Sequence, residues 1–301
     1  MKAHRRTRVA FSRFWYSEEI DMLTNDFLGG NIARLGFGAM RLPIIDGDAS
    51  NVDQATLDAM VDTAIKAGVN YFDTAYPYHG GMSEIALGRS LARYPRDSYF
   101  FATKYPGHQI ADTYDPAAIF EEQLAKCGTE YFDFYLLHNI YEASIEVYLD
   151  EQWGIADYFV EQKKNGRIRH LGFSCHGRPE TLKCFLDYGA RKYAELEQRD
   201  PETAALFAGN NIMEFCQIQL NYLDWTLQDA AAKTALLESM NIPIVVMEPL
   251  RGGKLAHLND AQMQQLNASV LGGANPPARS AVEWSFRWLL GIPNVKTILS
   301  G

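Results

Sequence analysis

Residues 70–84 read NYFDTAYPYHGGMSE and hold three features in a row. A short apolar run ends in Asp73, a loop carries Tyr78, and the Gly80-Gly81 pair leads into a new amphipathic segment. A short apolar run followed by a turn and an amphipathic segment is typical of a strand–loop–helix unit in a parallel sheet. The stretch therefore predicts that Asp73 and Tyr78 lie beyond the C-terminal end of one strand.

The same alternation continues from residue 32 to the end of the chain. Amphipathic segments with helical spacing separate eight short apolar runs, which we predict as strands at residues 34–38, 70–73, 99–104, 132–138, 169–174, 215–219, 244–247 and 296–299. Gly36-x-Gly38 lacks the third glycine of a dinucleotide-binding loop, which argues against an open doubly wound sheet. The pattern predicts an α/β fold, a (β/α)8 TIM barrel that lacks its last helix.

Three segments depart from the plain alternation. Residues 1–21 are basic, and we predict a disordered leader, with a targeting or nucleic-acid arm as the alternative. Residues 190–211 are charged and alanine-rich, and they predict an extra helical insert within the barrel of residues 22–301. Residues 257–277 predict a polar loop that contains a helix. No eighth helix follows the eighth predicted strand, so we expect a C-terminally truncated barrel.

Composition limits the classes of partner. The chain of 301 residues carries 28 basic and 37 acidic residues, a net charge of -9, which argues against general affinity for nucleic acid or anionic membrane. No apolar run is long enough to span a bilayer or to form a secretory signal, so we expect a cytoplasmic protein. The four cysteines are scattered and predict neither a metal site nor a disulfide framework. Small-molecule chemistry remains open, and the oligomeric state is not indicated.

Polar side chains end strand after strand of the predicted barrel. In such barrels the strand ends at the C-terminal face converge on one pocket. Taken singly, each residue has an ordinary structural explanation, such as a turn, a solvated lysine or a structural histidine. The coincidence is more informative, and the ends are Asp73, Lys104, His138, Ser174, Gln217 and Met247.

These residue types suit carbonyl reduction. A carbonyl that receives a hydride needs a proton, and a tyrosine is a poor proton donor and acceptor near neutral pH unless a cation stabilises its phenolate. Lys104 can be that cation, and Asp73 can supply the carboxylate that makes a buried ammonium tolerable. His138 can donate a hydrogen bond that orients and polarises the carbonyl. We therefore predict a reductase.

Five motifs together resemble the aldo-keto reductase superfamily. They are Arg34-Leu-Gly-Phe-Gly38, Asp73-Thr-Ala-x-x-Tyr78, Ala102-Thr-Lys104, Leu136-Leu-His138 and Pro249-Leu-x-Gly-Gly253. The resemblance covers residues 32–301 and implies an NAD(P)H-dependent reductase of aldehydes or ketones. It also implies that Tyr78 is the proton donor and that Asp73, Lys104 and His138 support it.

The resemblance further implies where the cofactor lies. Ser174 and Gln217 match the residues that hold the nicotinamide amide, whereas Cys175 stands where an asparagine is usual. Met247 replaces a stacking tyrosine. The remaining cofactor residues implied are Gly38, Pro249, Leu250, Arg251, Gly253 and Lys254, of which Arg251 and Lys254 are either phosphate contacts or solvated.

Departures from the family pattern bear on the cofactor. Motifs around Gly80, Gly172 and Gln217 resemble a bacterial and archaeal branch that often carries a C-terminal iron–sulfur segment, but the chain has no clustered cysteines, so no cluster is predicted. We favour NADP(H) over NAD(H). Alternatives are a nucleotide-binding sensor barrel with little turnover and a truncated, inactive fragment. Candidates for the substrate wall are Tyr105, His108, Trp153 and Trp225.

Overall fold

The structure is a computed structural model, and it describes residues 22–270 and 279–301. The predicted basic leader of residues 1–21 lies outside the described residues, as do the last residues of the predicted polar loop. That loop does contain a helix, Asp260–Val270.

Eight parallel strands close into a barrel. A hairpin of β1 (Thr24–Phe27) and β2 (Gly30–Ala33) precedes them. The barrel strands are β3 (Leu35–Gly38), β4 (Tyr71–Asp73), β5 (Phe100–Tyr105), β6 (Phe132–Ile140), β7 (Ile168–Cys175), β8 (Cys216–Gln219), β9 (Ile244–Met247) and β10 (Val295–Ser300). The last strand pairs with β3 and β9, which completes the ring. Each strand coincides with one predicted run, so the barrel prediction is confirmed.

The hairpin closes the N-terminal end of the barrel and was not predicted. Phe27 and Ile32 are fully buried in one cluster with inner residues of the barrel. The ring of Phe27 lies 4.9 Å from the ring of Phe134. The turn has positive φ at both Leu28 and Gly29, the geometry of a tight two-residue hairpin turn. Strands of four residues with only one or two apolar side chains each form too weak a pattern to predict such a hairpin from sequence.

Strand periodicity explains why the polar strand ends share one face. Side chains alternate between the barrel interior and the helical layer, so residues two apart point the same way. At five strand ends, the side chain that points toward the C-terminal face belongs to a residue two positions after a member of the inner apolar cluster. These inner residues are Tyr71, Ala102, Leu136, Phe215 and Val245, and they place Asp73, Lys104, His138, Gln217 and Met247 above them.

Helices surround the barrel. They are α1 (Gln54–Lys66), α2 (Met82–Leu91), α3 (Pro116–Cys127), α4 (Ile145–Leu149), α5 (Ile155–Lys164), α6 (Pro179–Arg199), α7 (Pro201–Ala204), α8 (Asp224–Leu227), α9 (Ala230–Ser239), α10 (Asp260–Val270) and α11 (Ala281–Leu290). The predicted start of α3 is observed: the Asp115 carboxylate accepts from the backbone N–H of Ala118, and Gly128 ends the helix at φ 62°.

The segment at residues 190–211 differs from the predicted separate helix. Residues 190–199 continue the helix that begins at Pro179, because Lys192 and Leu196 extend its buried stripe. Pro201 then begins the short α7. Within the described residues no helix follows β10.

Candidate active site

The C-terminal ends of the strands surround one cavity of about 550 Å³. Asp73, Tyr78, His138, Gln217 and Met247 all line it. Lys104 lies beneath it, with only 1% of the residue exposed. The structure therefore brings together the residues that the strand-end pattern selects.

A buried ion pair forms the floor of the cavity. The Lys104 ammonium donates to Asp73 Oδ1 at 2.5 Å and to the backbone oxygen of Thr74 at 2.7 Å. The Gln217 amide donates to the second Asp73 oxygen at 3.3 Å. Burial acts to lower the pKa of Lys104, but the neighbouring Asp73 and Tyr78 more than offset this effect and raise that pKa. Lys104 is therefore held as a cation.

Tyr78 stands directly above this cation. The Lys104 nitrogen lies 5.0 Å from the centre of the Tyr78 ring. Burial raises the pKa of Tyr78, and Lys104 opposes the rise without cancelling it. The phenol is therefore protonated near neutral pH. A tight turn places it there, because the chain takes left-handed geometry at His79 and Gly80 between β4 and α2.

His138 is a second neutral member of the group. Its ring lies 5.8 Å from the Tyr78 ring, nearly perpendicular to it at 79°. Burial, followed by the Lys104 charge, lowers the pKa of His138 well below its usual value. Its Nδ1 is enclosed and finds no hydrogen-bond partner in residues 22–270 or 279–301, which leaves Nε2 open to the cavity. A neutral imidazole in this position can donate one hydrogen bond from Nε2.

The cofactor residues implied by the sequence are divided between the wall and the core. Gln217 and Met247 line the cavity, and Gln217 Oε1 has no hydrogen-bond partner among the described residues. Ser174 is 1% exposed, and its hydroxyl oxygen accepts from the backbone N–H of Asn139 at 2.7 Å. Cys175 points into the outer core, where burial raises the pKa of its thiol to about 11. Cys175 is thus a packing residue.

The loop after β9 borders the same cavity. Gly38, Pro249, Leu250 and Gly253 line it. Arg251 instead lies 3.4 Å from the buried carboxylate of Asp224. Lys254 is exposed and does not line the cavity among the described residues.

An ion pair that the sequence did not reveal crosses this edge of the cavity. Glu248, at the start of the loop after β9, pairs with Arg41, which follows β3. Both residues line the cavity, so the pair joins its two sides. The positive φ of Glu248, 55°, is a turn geometry that sequence spacing does not predict.

Of the four aromatic candidates for the substrate wall, one lines the cavity. His108 does so. Tyr105 packs against Tyr148 and Phe159 in the core, while Trp153 packs on Tyr114 and Trp225 on Trp288. Sequence reasoning missed Asn139 and His176, which also line the cavity. Asn139 comes one residue and His176 two residues after a predicted strand end, and that position was the available signal.

The residues present fit a nicotinamide nucleotide. Gln217 offers a free acceptor, Met247 presents a thioether that can pack against a ring face, and Gly252 and Gly253 keep side chains off the loop. A (β/α)8 barrel with a buried Asp–Lys pair beneath a tyrosine and a neutral histidine defines a class of oxidoreductase that acts on carbonyl groups.

Sequence comparison identifies the family. A family model described as "Aldo/keto reductase family" matches residues 34–301, so the chain belongs to this family. It is 23% identical over 286 residues to L-galactose dehydrogenase of Arabidopsis thaliana, covering 91% of this chain and 81% of that protein. It is 25% identical over 178 residues to the NADH-specific methylglyoxal reductase of Escherichia coli, covering 52% of each chain.

Solved structures of the same fold are similar. An aldo-keto reductase from Bacillus halodurans, in its holo form, superposes with a TM-score of 0.66 at 21% identity, over 93% of this chain and 86% of that one. An aldo-keto reductase from Klebsiella pneumoniae in complex with NADPH gives a TM-score of 0.61 at 17% identity, over 93% and 85%.

Neither a membrane-spanning helix nor a metal-binding cluster is present in the described residues. No helix there is long and apolar enough to cross a membrane. No group of three or more His, Cys, Asp or Glu side chains in residues 22–270 and 279–301 could hold a metal ion.

Proposed function

We propose that the chain is an NAD(P)H-dependent oxidoreductase that reduces the carbonyl of an aldehyde or ketone, with Tyr78 as the proton donor. One observation carries the proposal: Tyr78 and the neutral His138 face the same cavity directly above the buried Asp73–Lys104 pair. The raised pKa of Tyr78 and the lowered pKa of His138 both favour the neutral, proton-bearing forms on which the proposal relies.

The nicotinamide cofactor, when bound, supplies the hydride to the carbonyl carbon. His138 donates a hydrogen bond from Nε2 to the carbonyl oxygen and so orients it. Tyr78 gives its proton to that oxygen as negative charge develops there. The Lys104 cation stabilises the resulting phenolate, and Asp73 and Thr74 hold the lysine in place.

Cofactor binding is proposed for two groups of residues. Ser174 and Gln217 hold the amide of the nicotinamide, and Met247 packs on its ring. The cavity edge made by Gly38, Pro249, Leu250 and Gly253 passes beside the diphosphate. Arg251 reaches a phosphate only by leaving Asp224, whereas the exposed Lys254 can approach one freely. We favour NADP(H) over NAD(H), supported by the NADPH complex of the Klebsiella reductase and opposed by the NADH-specific relative.

Tyr78→Phe tests the proton donor. We expect it to lower carbonyl reduction by about 10²- to 10⁴-fold, the usual effect of losing a general acid. Binding of NADPH, followed by its fluorescence, should be little changed. Tyr76→Phe is the matched control, because the Tyr76 hydroxyl bonds to Glu122 outside the cavity. Normal turnover by Tyr78→Phe would refute the proposed role.

A nucleotide-binding sensor barrel is the second candidate. Met247 in place of a stacking tyrosine favours it, because a thioether packs against a nicotinamide ring with less defined geometry than an aromatic ring. Two measurements separate the sensor from the enzyme. Fluorescence titration with NADPH and NADH measures nucleotide binding, and the loss of nicotinamide absorbance in the presence of a panel of aldehydes measures oxidation. Binding without oxidation of the nucleotide supports the sensor, and oxidation supports the enzyme.

A further inference from the structure

The cavity wall beside His138 is polar on three successive strand ends. His108 follows β5, Asn139 lies near the end of β6, and His176 directly follows β7. All three line the cavity. Among the described residues that line it, Tyr78 alone carries a phenol, phenyl or indole ring. The wall therefore offers hydrogen-bonding groups where a binding site for aryl compounds would offer aromatic rings.

His108 is fixed against the catalytic group. Its ring lies 4.5 Å from the ring of His138, at 71° to it. Its Nδ1 is enclosed and has no hydrogen-bond partner in the described part of the chain, so Nε2 is the nitrogen available to a ligand. A hydrogen-bonding group of His108 thus stands next to the position that the carbonyl would occupy.

The backbone of Asn139 is held while its side chain is free. Its N–H donates to Ser174 Oγ at 2.7 Å, and its carbonyl oxygen accepts from Ser144 Oγ at 2.7 Å. Its φ of 59° is a conformation that asparagine tolerates better than most residues. No described residue forms a hydrogen bond with the side-chain amide, which remains available at the wall.

The wall carries polarity without net charge. Burial lowers the pKa of both His108 and His176, so both imidazoles are neutral at physiological pH. The one arginine that lines the cavity among the described residues, Arg41, is paired with Glu248. A free carboxylate on the substrate would find no unpaired cation at this wall.

We propose that the wall of His108, Asn139 and His176 selects an uncharged carbonyl compound with hydroxyl groups beside the carbonyl, such as a hydroxyaldehyde or a sugar. The inference rests on the proposed function. A substrate without hydroxyls leaves the polar groups of the wall unpaired, and sites built to bond a substrate hydroxyl reject analogues that lack it.

Matched aldehydes test the proposal. With NADPH as reductant, kcat/KM is measured for glyceraldehyde, propionaldehyde, benzaldehyde and the anionic glyoxylate. We expect glyceraldehyde to exceed propionaldehyde on the order of 100-fold. His108→Leu should cut this preference at least about tenfold, while His108→Gln, which restores a hydrogen-bonding group, should recover most of it. His257→Leu, at an exposed histidine away from the cavity, is the control.

The outcomes separate this inference from the proposed function. Equal or better use of propionaldehyde or benzaldehyde by the wild-type protein overturns the hydroxyl preference and leaves the reductase intact. Preference for glyoxylate overturns the neutrality of the substrate. Oxidation of NADPH by none of the aldehydes overturns the proposed function itself. NADPH fluorescence confirms that each His108 variant is folded, and a preference unchanged in His108→Leu overturns the role of that residue.

Discussion

Asp73→Asn should destabilise the barrel more than removal of both charges of the Asp73–Lys104 pair. The substitution keeps the shape of the side chain and removes only its charge. Lys104 is 1% exposed and has two acceptors, Asp73 Oδ1 at 2.5 Å and the Thr74 oxygen at 2.7 Å. After the change the ammonium keeps a neutral acceptor but loses its counter-charge.

The magnitude follows from this burial. Breaking a buried ion pair by removing one partner costs about 3–5 kcal/mol, a large part of the about 5–15 kcal/mol that stabilises a typical domain. Replacing both members by neutral residues is often close to neutral. The double variant Asp73→Asn/Lys104→Met should therefore lie within about 2 kcal/mol of wild type, and the two single effects should not add.

Urea unfolding at pH 7, followed by circular dichroism, gives the free energy of unfolding of the wild type, of the two single variants and of the double variant. A pH series adds a second readout. Without the Asp73 charge, we expect the pKa of Lys104 in the folded variant to lie below its value in the unfolded chain. Between these two pKa values the unfolded chain binds more protons than the folded one, so stability rises with pH. The deficit relative to wild type should then shrink as the pH rises toward 10. An Asp73→Asn cost below about 1 kcal/mol, or additive single effects, would contradict the reasoning.

Three further predictions follow from the structure. Because the pKa of His138 is lowered in the folded protein, unfolding takes up a proton below about pH 6.5. The free energy of unfolding should therefore fall with acidification, by up to about 1.4 kcal/mol per pH unit. His138→Gln should flatten this slope, as measured by urea titrations at several pH values. Gly172→Ala places a Cβ 2.5 Å from the Phe215 ring, so a cost of about 1–3 kcal/mol is expected by urea unfolding. Arg41→Met removes the ion pair to Glu248 that joins the two sides of the cavity. Stopped-flow fluorescence should then show that NADPH dissociates up to about fivefold faster at low salt, and that this difference is lost at high salt.

Strands and strand ends could be predicted because they depend on a local period. Each short apolar run between helical segments became one barrel strand, since no other use of such a run buries it on both faces. The strand-end positions of Asp73, Lys104 and His138 followed from the same alternation. Sequence spacing was sufficient wherever the backbone alone decides the direction of a side chain.

Features that depend on partners distant in sequence could not be predicted. Arg251 can extend toward a phosphate or toward Asp224, and the sequence does not state which carboxylate lies within its reach. The length of α6 depends on what Lys192 and Leu196 pack against. The hairpin of β1 and β2 is fixed by Phe27, whose ring partners are Phe134 in β6 and Phe215 just before β8.

The segment at residues 70–84 holds Lys104 from two sides. On the cavity side, Thr74 supplies an acceptor for the ammonium, and its hydroxyl is 2.8 Å from that of Ser83. On the helix side, the buried carboxylate of Glu84 accepts from Thr103, the residue before Lys104, at 2.6 Å. Because one turn connects both contacts, a change in the geometry of this segment moves the lysine backbone and its acceptors together. The position of the buried Lys104 cation is therefore inseparable from the packing of α2 on the barrel.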